Sequence, residues 1–293
     1  MRALLIAVVV AGACGGAPPR GEPVDRDYDN PASAAREAFD KGDLRTAADL
    51  YERALRRARV RDEAALVGDA AHNLAVCLMG LRRYDRALDL VREARDAYAR
   101  GNGDDLDAAL LQMRLNYARG DAAAALELAD GIGGRDLTPA RRAQVHLVRG
   151  EIACDRKERV RAAEELAAAG GAPAGPHIRA GQTALLEARR AHLAGRLHEL
   201  ADRLGPAATA YELEAGFMQQ AGFYGDMAAA LARAGRLHPD APQAADLLYR
   251  AARCYWARRD AERAAALLAD AAARADPDVM PLIAALEKEM KQP

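Results

Sequence analysis

Aromatic residues are scarce in this sequence. Phe, Trp and Tyr make up 4% of its 293 residues, although the apolar class as a whole (AVILMFWYC) makes up 51%. Much of that class is alanine, which would fill the centre of a globular domain poorly but suits helices that approach one another closely. The composition therefore favours stacked helices. Enrichment of alanine and arginine by a GC-rich genome is the alternative explanation.

The chain also lacks an excess of charge of either sign. Its formal net charge is −1 at pH 7, so the molecule as a whole has no long-range field that attracts an anionic polymer. The sequence has no cluster of Lys and Arg with interleaved aromatic residues, which is the usual feature of a nucleic-acid-binding surface. We therefore expect no nucleic-acid partner.

Motifs for catalysis are missing too. The sequence contains no Gly-x-Ser-x-Gly, His-Glu-x-x-His, Walker-type or dinucleotide-binding motif. None of its six histidines stands three or four residues from another His or Cys, the spacing that a zinc site on one helix needs. We expect the histidines to be ordinary surface or groove side chains. The sequence predicts a protein that is not an enzyme and has no metal and no cofactor.

A short motif around Gly42 shows how the chain is organised. Asp43 is a candidate N-cap, and Gly42 before it can adopt the left-handed conformation that ends the preceding helix. Ala47, Tyr51 and Ala54 then recur at spacings of four and three residues, along one face of a helix. The motif predicts a helix, a tight turn and a second helix, with small residues where the helices meet.

This motif recurs along the chain. Copies occur at 82–87, 120–125 and 259–264, with a degenerate copy at 222–227. The pattern resembles the tetratricopeptide repeat (TPR), an antiparallel helix pair of about 34 residues. The family's Trp is absent and its Gly is mostly Ala, except at Gly150. The resemblance implies an all-α fold: a right-handed α-solenoid of antiparallel helix pairs, a TPR-like superhelix with a C-terminal capping helix.

The predicted pairs fall into two groups of repeats, 31–169 and 177–293, separated by a Gly- and Pro-rich loop at 170–176. An irregular pair with its turn near Gly195 is expected at 177–204. Leu282, Ile283 and Leu286 of the final helix are expected to cover the last pair. The remaining pairs are 33–41 with 44–59, 63–81 with 85–99, 106–119 with 122–131, 139–154 with 158–169, 206–222 with 225–236, and 243–258 with 260–275.

The N-terminus is typical of an exported protein. Residues 1–13 combine Arg2 with a short apolar run, which predicts a secretory signal peptide. The small residues directly before Cys14 resemble a bacterial lipobox, and the resemblance implies that Cys14 is lipidated. An ordinary signal peptide cleaved near Ala13 or Ala17 is the alternative. Gly15 stands where Asp would imply retention at the inner membrane. We therefore expect a lipid anchor in the outer membrane, with the chain facing the periplasm.

Residues 14–30 are expected to be a flexible linker because they are rich in Gly, Pro and charged side chains. The remaining cysteines, Cys77, Cys154 and Cys254, lie in apolar segments of different helix pairs. Distant pairs cannot bring their sulfur atoms within bonding distance. We therefore expect three free thiols that pack as small apolar groups.

Register with the TPR family implies a groove lined by the first helix of each pair, where exposed aromatic and Arg side chains concentrate binding energy. Ala32 and Arg36 stand where the family's clamp for a terminal carboxylate has Lys and Asn, so no carboxylate-terminated partner is expected. Trp256 is alternatively an anchor for a neighbouring helix. The candidate groove residues are Arg36, Phe39, His72, Asn73, Met79, Arg114, Tyr117, Glu151, Gln219, Tyr249, Arg253 and Trp256.

Three functions are compatible with these features. The first is a membrane-anchored scaffold that binds protein or peptide segments of a cell-envelope machine in its groove. The second is a periplasmic ligand-binding or enzymatic module with a pocket near residues 170–222. A converging polar cluster with strongly perturbed carboxylates in that segment would favour it. The third is a purely structural solenoid that associates with itself.

Overall fold

The computed structural model describes residues 25–170, 180–238, 240–275 and 277–291. The predicted signal peptide, Cys14 and residues 171–176 of the predicted loop lie outside the described residues. Within the described ranges the regular structure is helical. The helices are α1 (Arg26–Asp40), α2 (Leu44–Arg61), α3 (Ala64–Gly80), α4 (Tyr84–Arg100), α5 (Leu106–Arg119), α6 (Ala122–Gly133), α7 (Pro139–Asp155), α8 (Arg159–Ala168), α9 (Ala180–Leu200), α10 (Leu204–Gln220), α11 (Tyr224–Leu237), α12 (Ala241–Ala257), α13 (Ala261–Ala272) and α14 (Met280–Met290).

Two compact units divide between Arg149 and Gly150. In the first unit, each helix from α1 to α5 packs against the next one in the chain. In the second unit, the same holds from α8 to α14. Where a described turn of a few residues joins neighbouring helices, the two helices run antiparallel. The predicted fold class is confirmed for the described residues, which are all-α and form consecutive helix pairs.

The turns between paired helices follow the motif found in the sequence. The Asp43 carboxylate accepts a hydrogen bond from the Thr46 backbone N–H at 3.1 Å, which caps α2. Asp121 caps α6 and Asp260 caps α13 in the same way. Gly42 before the first cap has a φ of 76°, a conformation that costs glycine little and other residues more. The repeated motif is therefore a capped turn.

Ion pairs at one constant spacing connect the helices. Several of them join side chains that are 34 residues apart in the sequence. Each exposed pair of this kind contributes only about 0–1 kcal/mol. All of them except the pair of Asp85 with Arg119 join helices that are two apart in the chain. The pairs are Glu52 with Arg86, Arg59 with Glu93, Asp85 with Arg119, Asp107 with Arg141, Glu199 with Arg233, and Arg236 with Asp270.

The first helix begins earlier than the sequence predicts. Residues 25–30 were expected in the flexible linker, but α1 starts at Arg26 with Asp25 as its N-cap. The Asp25 carboxylate also accepts hydrogen bonds from Arg57 at 2.9 Å and Arg61 at 2.7 Å. These ion pairs hold the pKa of Asp25 low, at about 2. The linker prediction is therefore wrong for these residues, because the charge expected to solvate them binds α2.

The largest departure from the predicted fold is α9. The sequence predicts two helices with a turn near Gly195, but residues 180–200 form one helix. A Cβ added at Gly195 would lie 2.7 Å from the Tyr211 ring of α10. This glycine therefore serves close packing between two helices, and the predicted turn at this position is wrong.

A single helix at α9 changes the predicted alternation of the helices that follow. In the second unit, ion pairs join α7 to α9 through Asp155 and Arg196, and α9 to α11 through Glu199 and Arg233. The next pair in this series joins α11 to α13. Helices α10 and α12 therefore lie in the other layer, with α12 packing against α14. The sequence predicts α10 and α12 as first helices in register with α7, and this assignment is wrong.

The final helix covers the last pair, as predicted. Ile283 and Leu286 of α14 are buried at 2% and 5% exposure, and α14 packs against α12 and α13. The prediction is wrong for Leu282, which is 45% exposed. Adjacent residues on a helix point about 100° apart, so Leu282 cannot share the face of Ile283.

The three cysteines in the described residues carry free thiols, as expected. Cys77 and Cys154 are buried, and Cys254 is half-buried. Burial raises the pKa of the Cys77 thiol to about 12 and that of Cys154 to about 11. A thiol with a raised pKa is a poor nucleophile, because the thiolate is the reactive form. These side chains therefore act as small core groups.

Candidate functional site

The candidate groove residues differ widely in exposure. Arg36, Gln219 and Arg253 are exposed. Phe39, Asn73 and Trp256 are half-buried. The other six are at most 8% exposed: His72, Met79, Arg114, Tyr117, Glu151 and Tyr249. Half of the predicted set therefore offers almost no surface to a partner in this conformation.

The buried members in the first unit lie on α3 and α5, and these two helices are covered on nearly every side. Ala65 is the one exposed residue of α3, and Arg119 is the one exposed residue of α5. On α3, burial lowers the pKa of His72 to about 4, so this side chain is neutral at pH 7. Its Nδ1 atom has no hydrogen-bond partner among the described residues. We conclude that the apolar side chains of α3 and α5 pack in the core and do not form a binding surface.

In the second unit, the candidate residues do not share one surface. Glu151 belongs to α7, whereas Gln219, Tyr249, Arg253 and Trp256 belong to α10 and α12 in the other layer. The Trp256 indole N–H donates to Glu289 of α14 at 2.9 Å. The Arg253 guanidinium lies 5.9 Å from the centre of the Tyr249 ring. Trp256 therefore holds the capping helix, which is the packing alternative for this residue.

A buried polar cluster in the second unit joins three helices. Arg189 of α9 donates to Glu151 of α7 through two nitrogen atoms, at 2.8 and 3.2 Å. Both side chains are nearly sealed from solvent, with 3% and 9% exposure. A pair at this depth is costly to break, because either partner alone would be a buried, uncompensated charge.

The second part of the cluster is a histidine and a carboxylic acid. His192 Nδ1 of α9 lies 2.9 Å from Glu214 Oε2 of α10, and Glu214 has no exposed surface. Burial raises the pKa of Glu214 well above its usual value and lowers the pKa of His192 to about 3. Both groups are therefore neutral near pH 7, and the protonated Glu214 donates its hydrogen bond to His192.

The hydrogen bonding of Glu214 supports the same protonation state. Its second oxygen, Oε1, has no partner among the described residues. An ionised carboxylate with one bare oxygen in the interior would cost far more than a neutral acid with one bare carbonyl. The geometry and the direction of the pKa shift therefore agree that Glu214 holds a proton.

Arg233 and Tyr211 border this pair. The Arg233 guanidinium of α11 lies 4.5 Å from the centre of the Tyr211 ring and binds Glu199 of α9 at 2.8 and 3.0 Å. The His192 ring lies 5.7 Å from the same tyrosine ring. The cluster therefore links α7, α9, α10 and α11 through polar and aromatic contacts that depend on α9 being one helix.

Sequence reasoning missed this cluster, because it treated the histidines as surface or groove residues. The structure contradicts that expectation for His72 and His192, which are both buried. A signal was present: Arg189, His192 and Arg196 recur at three and four residues along one face of α9. The identity of their partners was not readable, since Glu151 and Glu214 lie on other helices.

Two further features bear on the site. Among the described residues, no group of three or more His, Cys, Asp or Glu side chains is placed to hold a metal ion. In the same part of the chain, every helix is too short or too polar to cross a membrane.

Comparisons with known proteins give a likeness of fold alone. No protein-family model matches the sequence, and no curated protein is similar to it. Among solved structures, a tetratricopeptide repeat protein from Parabacteroides merdae resembles this chain, with 17% identity and a TM-score of 0.42. The match covers 88% of this chain and 98% of that one.

Proposed function

We propose that this protein is an interaction scaffold, held at the outer membrane by a lipid on Cys14, that binds protein or peptide segments of a cell-envelope machine. The observation that carries the proposal is the array of capped helix pairs, in which ion pairs join helices that are two apart in the chain. Arrays of this kind present long surfaces on which a partner contacts several repeats at once. A tether would raise the partner's effective concentration at the membrane.

The surface that remains for a partner is smaller than the sequence predicts. The candidate residues that keep more than marginal exposure and have no helix-anchoring role described above are Arg36 and Phe39 of α1, together with Asn73, Gln219 and Arg253. Arg36 and Phe39 stand three residues apart and so share a face of α1. An aromatic ring beside an Arg is the combination most often found at the energetic centre of an interface.

Mass spectrometry of the mature N-terminus tests the anchor. We expect the mature chain to begin at Cys14 and to carry acyl groups, and a Cys14→Ser variant to leave the membrane fraction. An unmodified terminus, or a start beyond Cys14, would contradict the lipid anchor and leave the scaffold proposal to be tested by binding.

Quantitative co-purification from crosslinked cells tests partner binding. The double variant Arg36→Ala/Phe39→Ala is expected to recover less of its envelope partners than the wild type, with its helical circular dichroism unchanged. Arg53→Ala on α2 is the matched control, because Arg53 is also exposed and forms no ion pair among the described residues. Equal losses for both variants would contradict a specific role for α1.

A ligand-binding or enzymatic module is the second candidate, and one observation favours it. The segment expected to hold its pocket contributes Arg189, His192 and Glu214. These side chains lie in one cluster, and the pKa of Glu214 is strongly raised. The complete burial of Glu214 opposes this function, because a ligand would have to separate α9 from α10. A small molecule that raises the melting temperature of the wild type but not of Glu214→Gln would support this candidate over the scaffold.

A further inference from the structure

Comparison of two equivalent gaps in the first unit reveals a candidate binding site. The first gap lies between α2 and α4, over α3. Two ion pairs bridge it: Glu52 with Arg86, and Arg59 with Glu93, the latter bidentate at 2.7 and 2.8 Å. These bridges draw the two outer helices together.

The next gap, between α4 and α6 over α5, lacks both bridges. The repeated motif places Ala124 of α6 where α4 has Arg86, and an alanine side chain cannot form an ion pair. The same register places Gly131 where α4 has Glu93, and glycine has no side chain to form the second bridge. Helix α6 is also short and rich in alanine. The sequence therefore leaves this gap open at the positions that close the first one.

A cleft of about 460 Å³ occupies the open gap, within the size range of small binding pockets. Small and aliphatic side chains form its floor, and polar side chains surround them. The cleft is lined by Arg95, Ala109, Gln112, Asn116, Ala124, Glu127, Leu128, Gly131, Ile132 and Arg135.

The two arginines at the cleft are already neutralised. Arg95 donates to Asp105 at 2.8 Å and to the Gln112 amide oxygen at 2.8 Å. Arg135 donates to Asp105 and to Asp104, each at 2.8 Å. Glu127 forms no ion pair with any described residue and is exposed at the cleft. The uncompensated charge of the site is therefore negative, which favours a cationic occupant.

Asn116 supplies the second observation. It is 5% exposed, lines the cleft, and its side chain has no hydrogen bond to another described residue. A buried amide normally bonds through both its oxygen and its nitrogen. Gln112 stands four residues earlier on the same face of α5, and its nitrogen stays available because Arg95 binds its oxygen. The two side chains offer an acceptor and donors at the spacing of one helical turn.

We propose that the cleft between α4 and α6 binds an extended peptide segment that carries a Lys or Arg. The Asn116 and Gln112 amides pair with its backbone, Glu127 binds its cation, and a small side chain rests on the apolar floor. A peptide group presents one donor and one acceptor, which match the two ends of the Asn116 amide. This proposal rests on the scaffold function and adds the chemistry of one partner segment to it.

The cleft can be blocked without disturbing the fold. A Cβ added at Gly131 would meet no heavy atom within 4 Å, and Gly131 lines the cleft. Gly131→Leu should therefore fill the site and leave the helices intact. Gly216→Leu is the matched control, because a Cβ there also meets nothing within 4 Å and Gly216 lies on α10, outside the cleft. Circular dichroism and the melting temperature verify that both variants fold.

Selection from a random peptide library on the full-length protein provides the probe. We expect enriched peptides to contain Lys or Arg and to bind about tenfold more weakly, or about 1.4 kcal/mol, to Glu127→Gln, Asn116→Ala and Gly131→Leu. Binding to Gly216→Leu should equal the wild type, and salt should weaken the wild-type complex. Peptides without basic residues, or equal binding to Gly131→Leu and the wild type, would overturn the proposal.

The outcomes separate this proposal from the scaffold function. If crosslinked envelope partners are recovered equally with the wild type and with Gly131→Leu, and the selected peptides also bind both proteins equally, the scaffold function survives and the cleft proposal fails. If selected basic peptides bind the wild-type cleft but no envelope partner is recovered, the cleft proposal survives and the scaffold function fails.

Discussion

At the scale of residues, the second unit is distinguished by the neutral pair of Glu214 and His192. Both side chains would be charged in the unfolded chain near pH 5.5, and both are neutral when folded because burial penalises each charge. On folding near this pH, the imidazole loses a proton and the carboxyl group gains one, so the pair binds the same number of protons in both states. Because of this pair, we expect the stability of the unit to be constant over a central range of pH and to decrease on both sides of that range.

We predict a plateau of stability between about pH 4.5 and 6.5, the ordinary pKa values of the two groups. The folded pKa of Glu214 is raised, so its contribution is complete below 4.5 and is lost as pH rises. The folded pKa of His192 is lowered, so its contribution is complete above 6.5 and is lost as pH falls. The two effects cancel within the plateau, and stability falls by about 1.4 kcal/mol per pH unit outside it.

Urea denaturation at a series of pH values measures this profile. The variant Glu214→Gln lacks the titrating acid, so it should lose the decline above pH 6.5 and keep the decline on the acid side. A wild-type profile that rises from pH 6.5 to 8, or an identical alkaline decline in the variant, would contradict the neutral pair.

Two glycines give a second prediction at the same scale. Gly195→Ala places a methyl group 2.7 Å from the Tyr211 ring, and overpacking of this kind costs about 1–3 kcal/mol. Gly216→Ala meets nothing within 4 Å and should stabilise the protein by about 0.5–1 kcal/mol, because alanine favours the helix. The midpoints of chemical denaturation compare the two. Equal effects would mean that Gly195 does not mediate the contact between α9 and α10.

At the scale of elements, the sequence is informative about turns and less so about which helices meet. The turn at Gly42 is predictable because its signal is local: a glycine, a capping Asp and an apolar periodicity lie within a dozen residues. Gly195 lacks a capping residue, and its partner Tyr211 lies on another helix. In the sequence, a glycine that is needed for close helix packing therefore looks the same as a glycine that is needed for a turn. Because the sequence predicts two helices where α9 is one, it assigns α10 and α12 to the wrong layer of helices.

The candidate site shows the same limit. The capped turns, the capping helix and the buried thiols of Cys77 and Cys154 follow from patterns along the chain. The burial of His72 and Tyr117 does not, because it depends on how closely neighbouring helices pack around α3 and α5. The polar stripe of α9 was visible, but the carboxylates that neutralise it come from α7 and α10.

The ion pair between α7 and α9 gives the prediction for this scale. Arg189→Met leaves Glu151 buried without its partner, so we expect a loss of about 3–5 kcal/mol in the free energy of unfolding. The double variant Arg189→Met/Glu151→Met removes both charges and should recover much of that loss. Chemical denaturation of the wild type, Arg189→Met, Glu151→Met and the double variant forms a double-mutant cycle. Additive losses would show that the two side chains do not act as a pair.

At the scale of the whole molecule, the described helices form short pairs that each rely on their neighbours for a core. The ion pairs between helices and the capped turns belong to that design, and so does the final helix with its buried Ile283 and Leu286. Alanine allows the helices to approach closely, which is why few aromatic residues are needed. What differs among the repeats is the polar chemistry, and we infer that partner recognition depends on those differences.

Site-specific photo-crosslinking in intact cells tests the scaffold function most directly. A photoreactive amino acid is placed at Arg36 on α1, at Glu127 in the cleft and, as a control, at exposed Val60 on α2. We predict discrete crosslinks to defined envelope proteins from positions 36 and 127, and none from position 60. The same crosslinks from all three positions, or none from any, would contradict it.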